Sequence, residues 1–414
     1  MSEQTVSPPA GARAASASAG PARGGRRGSV VKWVLVAALL GFLLVFPLYF
    51  DEFWLRTGFA VFGAAIGAIG LNLLVGTTGQ LSLAHAFFLA VGAVSYTYIS
   101  GESGGLGTRA ALQGLGLPPI VGMVVGVLLA GLAGLVFSPI AARLRGIYLG
   151  VASLGLVFIG VHVINTWTPV TGGFNGRAAP EFSLFGFTFG NSDPQLWVLG
   201  VPFREAERLW YLGLVLALAA YVFARNLLRS RPGRALQTLR DSEVAASVMG
   251  VNVQAYKARV FLVSSMYAGL SGVLYALSIG SIAPESFTLV VSIQYLAMIV
   301  LGGLGSVGGA ALGALFVTAL PLLFQQYADV LPLVSAPGQG GISAGFAARF
   351  LYGAAIILIV LFEPAGLAGI AQRLTSRFRR GRAPARGGIT TPPPEQPGSA
   401  PTPSDRPAQG SDTR

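Results

Sequence analysis

Arg229-Ser230-Arg231-Pro232-Gly233-Arg234-Ala235-Leu236-Gln237-Thr238-Leu239-Arg240-Asp241-Ser242-Glu243-Val244-Ala245-Ala246-Ser247-Val248-Met249-Gly250 is a polar, basic stretch set between two long apolar runs, at 209–228 and 260–279. Its surroundings decide the fold. Of the 414 residues, 53% are hydrophobic and only 11% charged, whereas a soluble domain carries about 25% charged residues. Mean hydropathy is +0.66. This is the composition of an all-α polytopic membrane protein. The 57 glycines fit it, because small residues let helices approach closely in lipid.

Working outward from the insert, ten apolar runs are expected as helices: 31–50, 57–75, 81–99, 118–140, 147–166, 209–228, 260–279, 290–301, 310–324 and 349–362. Lipid offers no water to free backbone groups, so each run must close its own hydrogen bonds. The first is about 20 residues, the length of a full span, and no small-x-small cleavage site closes it. It is expected to be a retained helix. Residues 31–370 form the expected membrane domain, with a cytoplasmic polar segment at 229–259. Residues 1–30 and 371–414 lack the apolar content to fold alone and are expected as disordered tails.

Charge orients this scheme. The net charge is +12 and the only lysines are Lys32 and Lys257. Placing both termini in the cytoplasm puts Arg143, Arg145, Arg225, Arg229, Arg231, Arg234, Arg240, Lys257 and Arg259 on that side with the tails. Asp51, Glu52, Glu102, Glu181, Asp193, Glu285 and Asp329 fall outside. That asymmetry is the positive-inside rule, and it accounts for the basic charge without nucleic acid. The lipid bilayer is the expected surrounding.

The insert contains a short helix. Arg229 to Arg234 is rich in helix breakers. Ala235 to Arg240 has the makings of a turn and a half. Asp241 or Ser242 is placed to cap the next helix, which carries Glu243 in its first turn and stops at Gly250. Val244 and Val248, like Ala245 and Met249, are four apart and form a small apolar face. A helix of about seven residues is not stable alone in water. It must dock, either on its own membrane domain or in a groove on a cytoplasmic partner.

Several further stretches stand out. Gly76-Thr77-Thr78-Gly79-Gln80-Leu81-Ser82-Leu83-Ala84-His85-Ala86-Phe87-Phe88 brings glycines, polar groups and a histidine into an apolar run. A helix break there exposes N–H groups suited to a carboxylate. Ser82 and His85, three apart, are expected on one face. His85 either lines a transport pathway or bonds a neighbouring helix, and Gly79 and Gln80 belong with it. Gly302, Gly303, Gly305 and Ser306 either make a second break, hinting at an internal repeat about a central transport pathway that they would line, or allow close helix packing. Gly172, Gly173 and Asn175 either meet an external binding protein or simply turn the chain. His162 is expected to be structural, and Glu363 to sit at the membrane surface.

The insert also carries a resemblance. Glu243-x-Ala245-Ala246-x-x-x-Gly250 resembles the coupling-loop motif of ATP-binding-cassette importer permeases. The wider stretch from Gly233-Arg234-Ala235-Leu236-Gln237-x-x-Arg240-Asp241 to Gly250-Val251-Asn252-Val253-x-x-Tyr256-Lys257 is similar to the branched-chain amino acid permease family. So are Gly79 to Ala86, Leu144-Arg145-Gly146-Ile147-Tyr148-Leu149, Thr171-Gly172-Gly173, and Leu301-Gly302-Gly303-Leu304-Gly305-Ser306. The Thr-Gly-Gly loop points to one of the two permease types that pair in that family. Ala84 and Val94 stand where the family often has Gly and Tyr.

The resemblance implies that Arg240, Asp241, Glu243, Ala245, Ala246 and Gly250 couple to ATPase subunits. It implies a second related permease, two cytoplasmic ATPases and an extracytoplasmic substrate-binding protein as partners, in the inner membrane of a prokaryote. It implies a branched-chain or other aliphatic amino acid as cargo, with urea or short amides as rivals. No cofactor is expected in this chain, because it has no P-loop; ATP and magnesium would belong to the ATPases. No metal site and no catalytic residues are expected. The chain has no cysteine, and no paired acidic motif for magnesium. An ion-coupled stand-alone carrier remains an alternative, although such carriers commonly need intramembrane acidic relays.

Overall fold

The computed structural model describes residues 25–103, 112–144, 146–190, 196–198, 201–327, 334–335, 342–362, 366–370 and 373. Expectations for residues 1–24, Arg145, Asp193, Asp329 and Glu363 lie outside the described residues. So does the C-terminal tail, apart from Arg373. The bundle belongs to one compact unit, Met1–Ala371.

In chain order the helices are α1 (Gly25–Val45), α2 (Glu52–Thr78), α3 (His85–Ser100), α4 (Pro119–Arg143), α5 (Ile147–Thr166), α6 (Thr168–Thr171), α7 (Glu205–Arg229), α8 (Arg231–Asp241), α9 (Glu243–Val248), α10 (Val253–Ile279), α11 (Leu289–Gly302), α12 (Val307–Gln326) and α13 (Ala344–Phe362). Every one of the ten apolar runs becomes a helix. Seven are long and apolar enough to cross a membrane: α2, α4, α5, α7, α10, α12, and α11 taken with the turn before it. Shorter apolar helices lie in α1 with the turn after it, in α3 and in α13. Among the described residues, strands occur only as two-stranded pieces of two or three residues each. The chain is an all-α polytopic membrane protein.

Two helices form the centre. The most hydrophobic windows of α2 and α10 are 78% and 72% buried, while the next most buried candidate span reaches 44%. Their contact follows from a glycine stripe. Gly63, Gly67 and Gly70 recur at helical spacing along α2, facing Leu274, Ser271 and Tyr267 of α10. A Cβ added at Gly67 would lie 2.6 Å from the Tyr295 ring and 2.8 Å from Ser271 Oγ. No other residue lets these helices approach so closely. Gly92 of α3 meets Gly269 of α10 in the same way, and Gly134 of α4 meets Ser265.

The helix ends show where local chemistry adjusted the expected bounds. α7 starts at Glu205, ahead of the apolar run, because Glu207 reaches back to accept from the Arg204 N–H at 2.9 Å. α8 starts at Arg231 with Pro232 in its first turn, a position proline tolerates. The expected breaker turn from Arg229 to Arg234 is thereby reduced to Ser230.

The bundle has an end carrying α8 and α9 and an opposite end carrying the loops. At the loop end, Arg177-Ala178 pairs antiparallel with Ser281-Ile282. The buried Arg177 guanidinium donates to the carbonyls of Gln113 (2.5 Å) and Val170 (3.0 Å). Burial lowers its pKa from the usual arginine value, and the nearby Tyr98 opposes that shift. The arginine ties together loops that would otherwise hang from separate helices.

Candidate functional site: a mid-bundle helix start and a glycine joint

The Gly79–Phe88 stretch does not continue α3. Gly79 caps α2 in the left-handed region at φ +68°, its N–H bonded to the Val75 carbonyl. The chain then runs without helix to Ala84, and α3 begins at His85. His85 therefore lies at the helix start, not one turn in. Ser82 lies outside the helix, its hydroxyl accepting from the Ala84 N–H at 3.4 Å, so the expected shared face with His85 does not exist.

The start of α3 is deep in the bundle. The His85 ring lies against the backbone of Gly67, eleven residues before the end of α2. At 1.5 Å per residue that is about 16 Å from the α2 terminus, near the middle of a bilayer core. Irregular backbone at such depth survives only when protein groups satisfy it. Two serines do so: Ser153 of α5 accepts from the Leu83 N–H at 2.8 Å, and Ser292 of α11 accepts from the Ala86 N–H at 3.0 Å.

A polar chain surrounds the same point. Tyr295 of α11 sits with its ring centroid 4.7 Å from that of His85. Its hydroxyl is 2.8 Å from Ser271 Oγ, which itself donates to the Gly63 carbonyl at 2.7 Å. One hydroxyl has one proton, so Tyr295 donates to Ser271. His85 Nε2 and Gln80 Oε1 are buried without a protein partner, and the Gln80 amide donates to the Ala141 carbonyl at 3.4 Å. A neutral imidazole carries one acceptor nitrogen.

The second glycine break meets the first. Asn72 of α2 donates to the Ser306 carbonyl (2.9 Å) and accepts from the Gly305 N–H (2.8 Å). An added Cβ at Gly76 would lie 2.5 Å from the Gly305 nitrogen. Gly302 closes on Gly309, and Ser306 caps α12 by accepting from Gly309 N–H at 3.1 Å. Gly303 and Gly305 adopt positive φ, at 108° and 83°. Close packing and a helix break thus coexist here.

The insert docks by one side. Leu236 and Leu239 of α8 are buried; Leu236 packs with Leu74, Phe137, Val260 and Phe261. Ser242 caps α9 by accepting from the Ala245 N–H at 3.2 Å. Glu243 pairs with Lys257 of α10 at 2.7 Å, and Lys257 is only 1% exposed. Ala246 is fully buried. Val244, Val248 and Met249 are 70%, 82% and 65% exposed. Asp241, Ala245 and Gly250 also face outward, Gly250 at φ +80°. The motif therefore divides: Glu243 and Ala246 hold the helix to its own bundle, and the rest are presented outward. Arg240 donates to the Gly76 carbonyl at 2.7 Å.

At the loop end, Gly172 and Gly173 adopt positive φ and make a tight turn, with the Thr171 hydroxyl 2.6 Å from the Ile164 carbonyl. Phe174 and Asn175 stand exposed beside it. His162 is exposed on α5 and takes no part in the packed core. Among the described residues no cluster of three or more His, Cys, Asp or Glu side chains is placed to hold a metal.

Asn72, Ser153, Ser271, Ser292 and Tyr295 escaped the sequence reading, which places Lys257 only as a cytoplasmic charge of the insert. Asn72 carried a usable signal, as the sole amide in the run 57–75. The serines did not, because serine is common in transmembrane helices.

Residues 54–360 match the family described as branched-chain amino acid transport system / permease component. The chain belongs to that family. Among its relatives is the high-affinity branched-chain amino acid transport system permease protein LivM of Escherichia coli (strain K12), 30% identical over 351 residues, covering 82% of this chain and 76% of the relative. The ribose import permease protein RbsC of Escherichia coli (strain K12) is 30% identical over 247 residues, covering 59% and 67%. The high-affinity branched-chain amino acid transport system permease protein LivH of Salmonella typhimurium is 25% identical over 270 residues, covering 64% and 82%. No solved structure matches the chain. The mid-bundle start of α3 brings irregular backbone together with two buried polar atoms that have no protein partner, Gln80 Oε1 and His85 Nε2.

Proposed function

We propose that the chain is one permease subunit of an ATP-driven importer for branched-chain or other aliphatic amino acids. It would work with a second permease of the same family, two cytoplasmic ATPases and an extracytoplasmic binding protein, in the inner membrane of a prokaryote. The carrying observation is α9: a six-residue helix, anchored by Glu243–Lys257, that leaves Val244, Val248 and Met249 in water. A short helix fixed at its base with an apolar outer face is suited to a groove on a partner. Gly79, Gln80, Ser82 and His85 line the pathway in this reading, with Tyr295 and Ser292 added. A zwitterionic amino acid fits their chemistry. Its ammonium group would donate to the free His85 acceptor, and the α3 N-terminus favours its carboxylate. Asn175 and Phe174 would meet the binding protein.

The test is leucine uptake in proteoliposomes holding the full set of subunits. Uptake should require ATP and the ATPases. Val248→Asp should abolish stimulated ATP hydrolysis while the chain still inserts. Uptake by the chain alone on a proton or sodium gradient would replace this reading with a stand-alone carrier. Urea displacing leucine from the binding protein would replace the cargo.

A further inference from the structure

The two glycine breaks and the insert converge on one side chain. The last carbonyls of any α-helix lack intrahelical partners. In α2 the Val75 carbonyl is taken by Gly79 N–H, and the Gly76 carbonyl is taken by Arg240 Nη1 at 2.7 Å. The same Nη1 lies 3.6 Å from where a Cβ at Gly305 would sit, and so does the Gly76 carbonyl oxygen. Arg240 Cγ lies 4.0 Å from the corresponding point on Gly79. One arginine side chain thus spans the end of α2, the start of the irregular 79–84 segment and the α11–α12 turn. Asn72 fixes that turn to α2 from the other side. Arg240 itself is in the last turn of α8, separated from α9 only by Ser242.

We infer that Arg240 is the positioning residue through which movement of the α8–α9 insert reaches both glycine breaks. It rests on the proposed ATP-driven reading. The left-handed residues Gly79, Gly303 and Gly305 are where the backbone turns abruptly, so a displacement there re-aims the 79–84 segment and with it the start of α3. Leu236 and Leu239 hold α8 on the bundle by apolar contact, which is non-directional. The Arg240 hydrogen bond supplies a directional link to the α2 terminus. Movement of α8 away from the bundle would break it and release the joint; return would re-form it. The two arrangements differ in this contact, as a two-state transmission requires.

Arg240→Ala and Arg240→Lys test it in the reconstituted complex, with radiolabelled leucine as probe. Arg240 is exposed apart from its guanidinium contact, so the Ala variant should fold and assemble. Leucine moved per ATP should fall about tenfold in Arg240→Ala, within the range of ordinary coupling effects. Arg240→Lys, which keeps a cationic donor, should recover much of the loss. Unchanged leucine per ATP in Arg240→Ala would overturn the inference, as would equal loss of uptake and hydrolysis. Hydrogen exchange of the purified chain tests the latch without partners. Amides of 76–84 and 303–306 should exchange about fivefold faster in Arg240→Ala, as expected for one lost hydrogen bond. Unchanged exchange there would also overturn the inference. Absence of ATP-driven uptake in the parent complex would instead overturn the proposed function, leaving hydrogen exchange to decide the role of Arg240.

Discussion

Glu243 is the first acidic residue of a motif expected to face a partner, yet its carboxylate is bonded inward to Lys257, a lysine 1% exposed. A buried ammonium without its carboxylate is expensive, so the pair acts as the base that holds α9 in place. Glu243→Lys would set two ammonium groups against each other. It should destabilise the docked insert by about 2–3 kcal/mol, a discounted figure because Glu243 keeps some water contact. Limited digestion with an arginine-specific protease, which ignores the new lysine, should then cut the insert faster, whereas Val248→Asp should leave its digestion unchanged. Equal digestion of both variants would remove the internal role of Glu243. The sequence placed both residues in a polar insert, where charges are ordinarily solvated. Their partnership depends on the turn at Gly250 folding the chain back, which no local pattern encodes.

At the level of elements, hydropathy was a good guide to which segments are helical and a poor guide to where one of them starts. The run 81–99 is apolar from its first residue, but α3 begins at His85. Transfer energy sees only that the segment is buried. The helix start is set by hydrogen-bond partners from elsewhere, Ser153 and Ser292, on helices far away in sequence. The joint between α2 and the α11–α12 turn has the same character, since Asn72 bonds residues more than 230 positions away. Asn72→Leu keeps the volume and removes both bonds, leaving the Gly305 N–H unpaired while the Ser306 carbonyl keeps its bond from the Ala310 N–H. That should cost about 2 kcal/mol and lower the thermal midpoint in detergent. It should also loosen the turn, read as faster hydrogen exchange at 303–306. An unchanged midpoint with unchanged exchange would mean that glycine packing alone holds the joint.

For the whole molecule, the ten apolar runs translate into helices because lipid permits no other local solution for the backbone. What periodicity could not supply is the centre. α2 and α10 are chosen by a glycine stripe on α2 that receives Tyr267, Ser271 and Leu274 of α10, 208 residues apart in sequence at the Ser271–Gly63 bond. The arrangement makes a sharp statement about sides. The insert and the glycine joint share one end, and the Arg177–Ile282 strand pair with the Thr171–Asn175 turn shares the other. The arginine distribution is the reason to expect the insert end in the cytoplasm. The chain lacks cysteine, so single cysteines introduced at exposed positions report orientation without background. Val248→Cys, at a position 82% exposed, should react with a membrane-impermeant maleimide only in inverted vesicles. Phe185→Cys, at a position 100% exposed, should react only in right-side-out cells or vesicles. Labelling of both from one side would contradict the bundle itself, because an odd number of spans separates them. Labelling of each from the opposite side would leave the bundle intact and invert it, and α9 could then dock on no cytoplasmic ATPase.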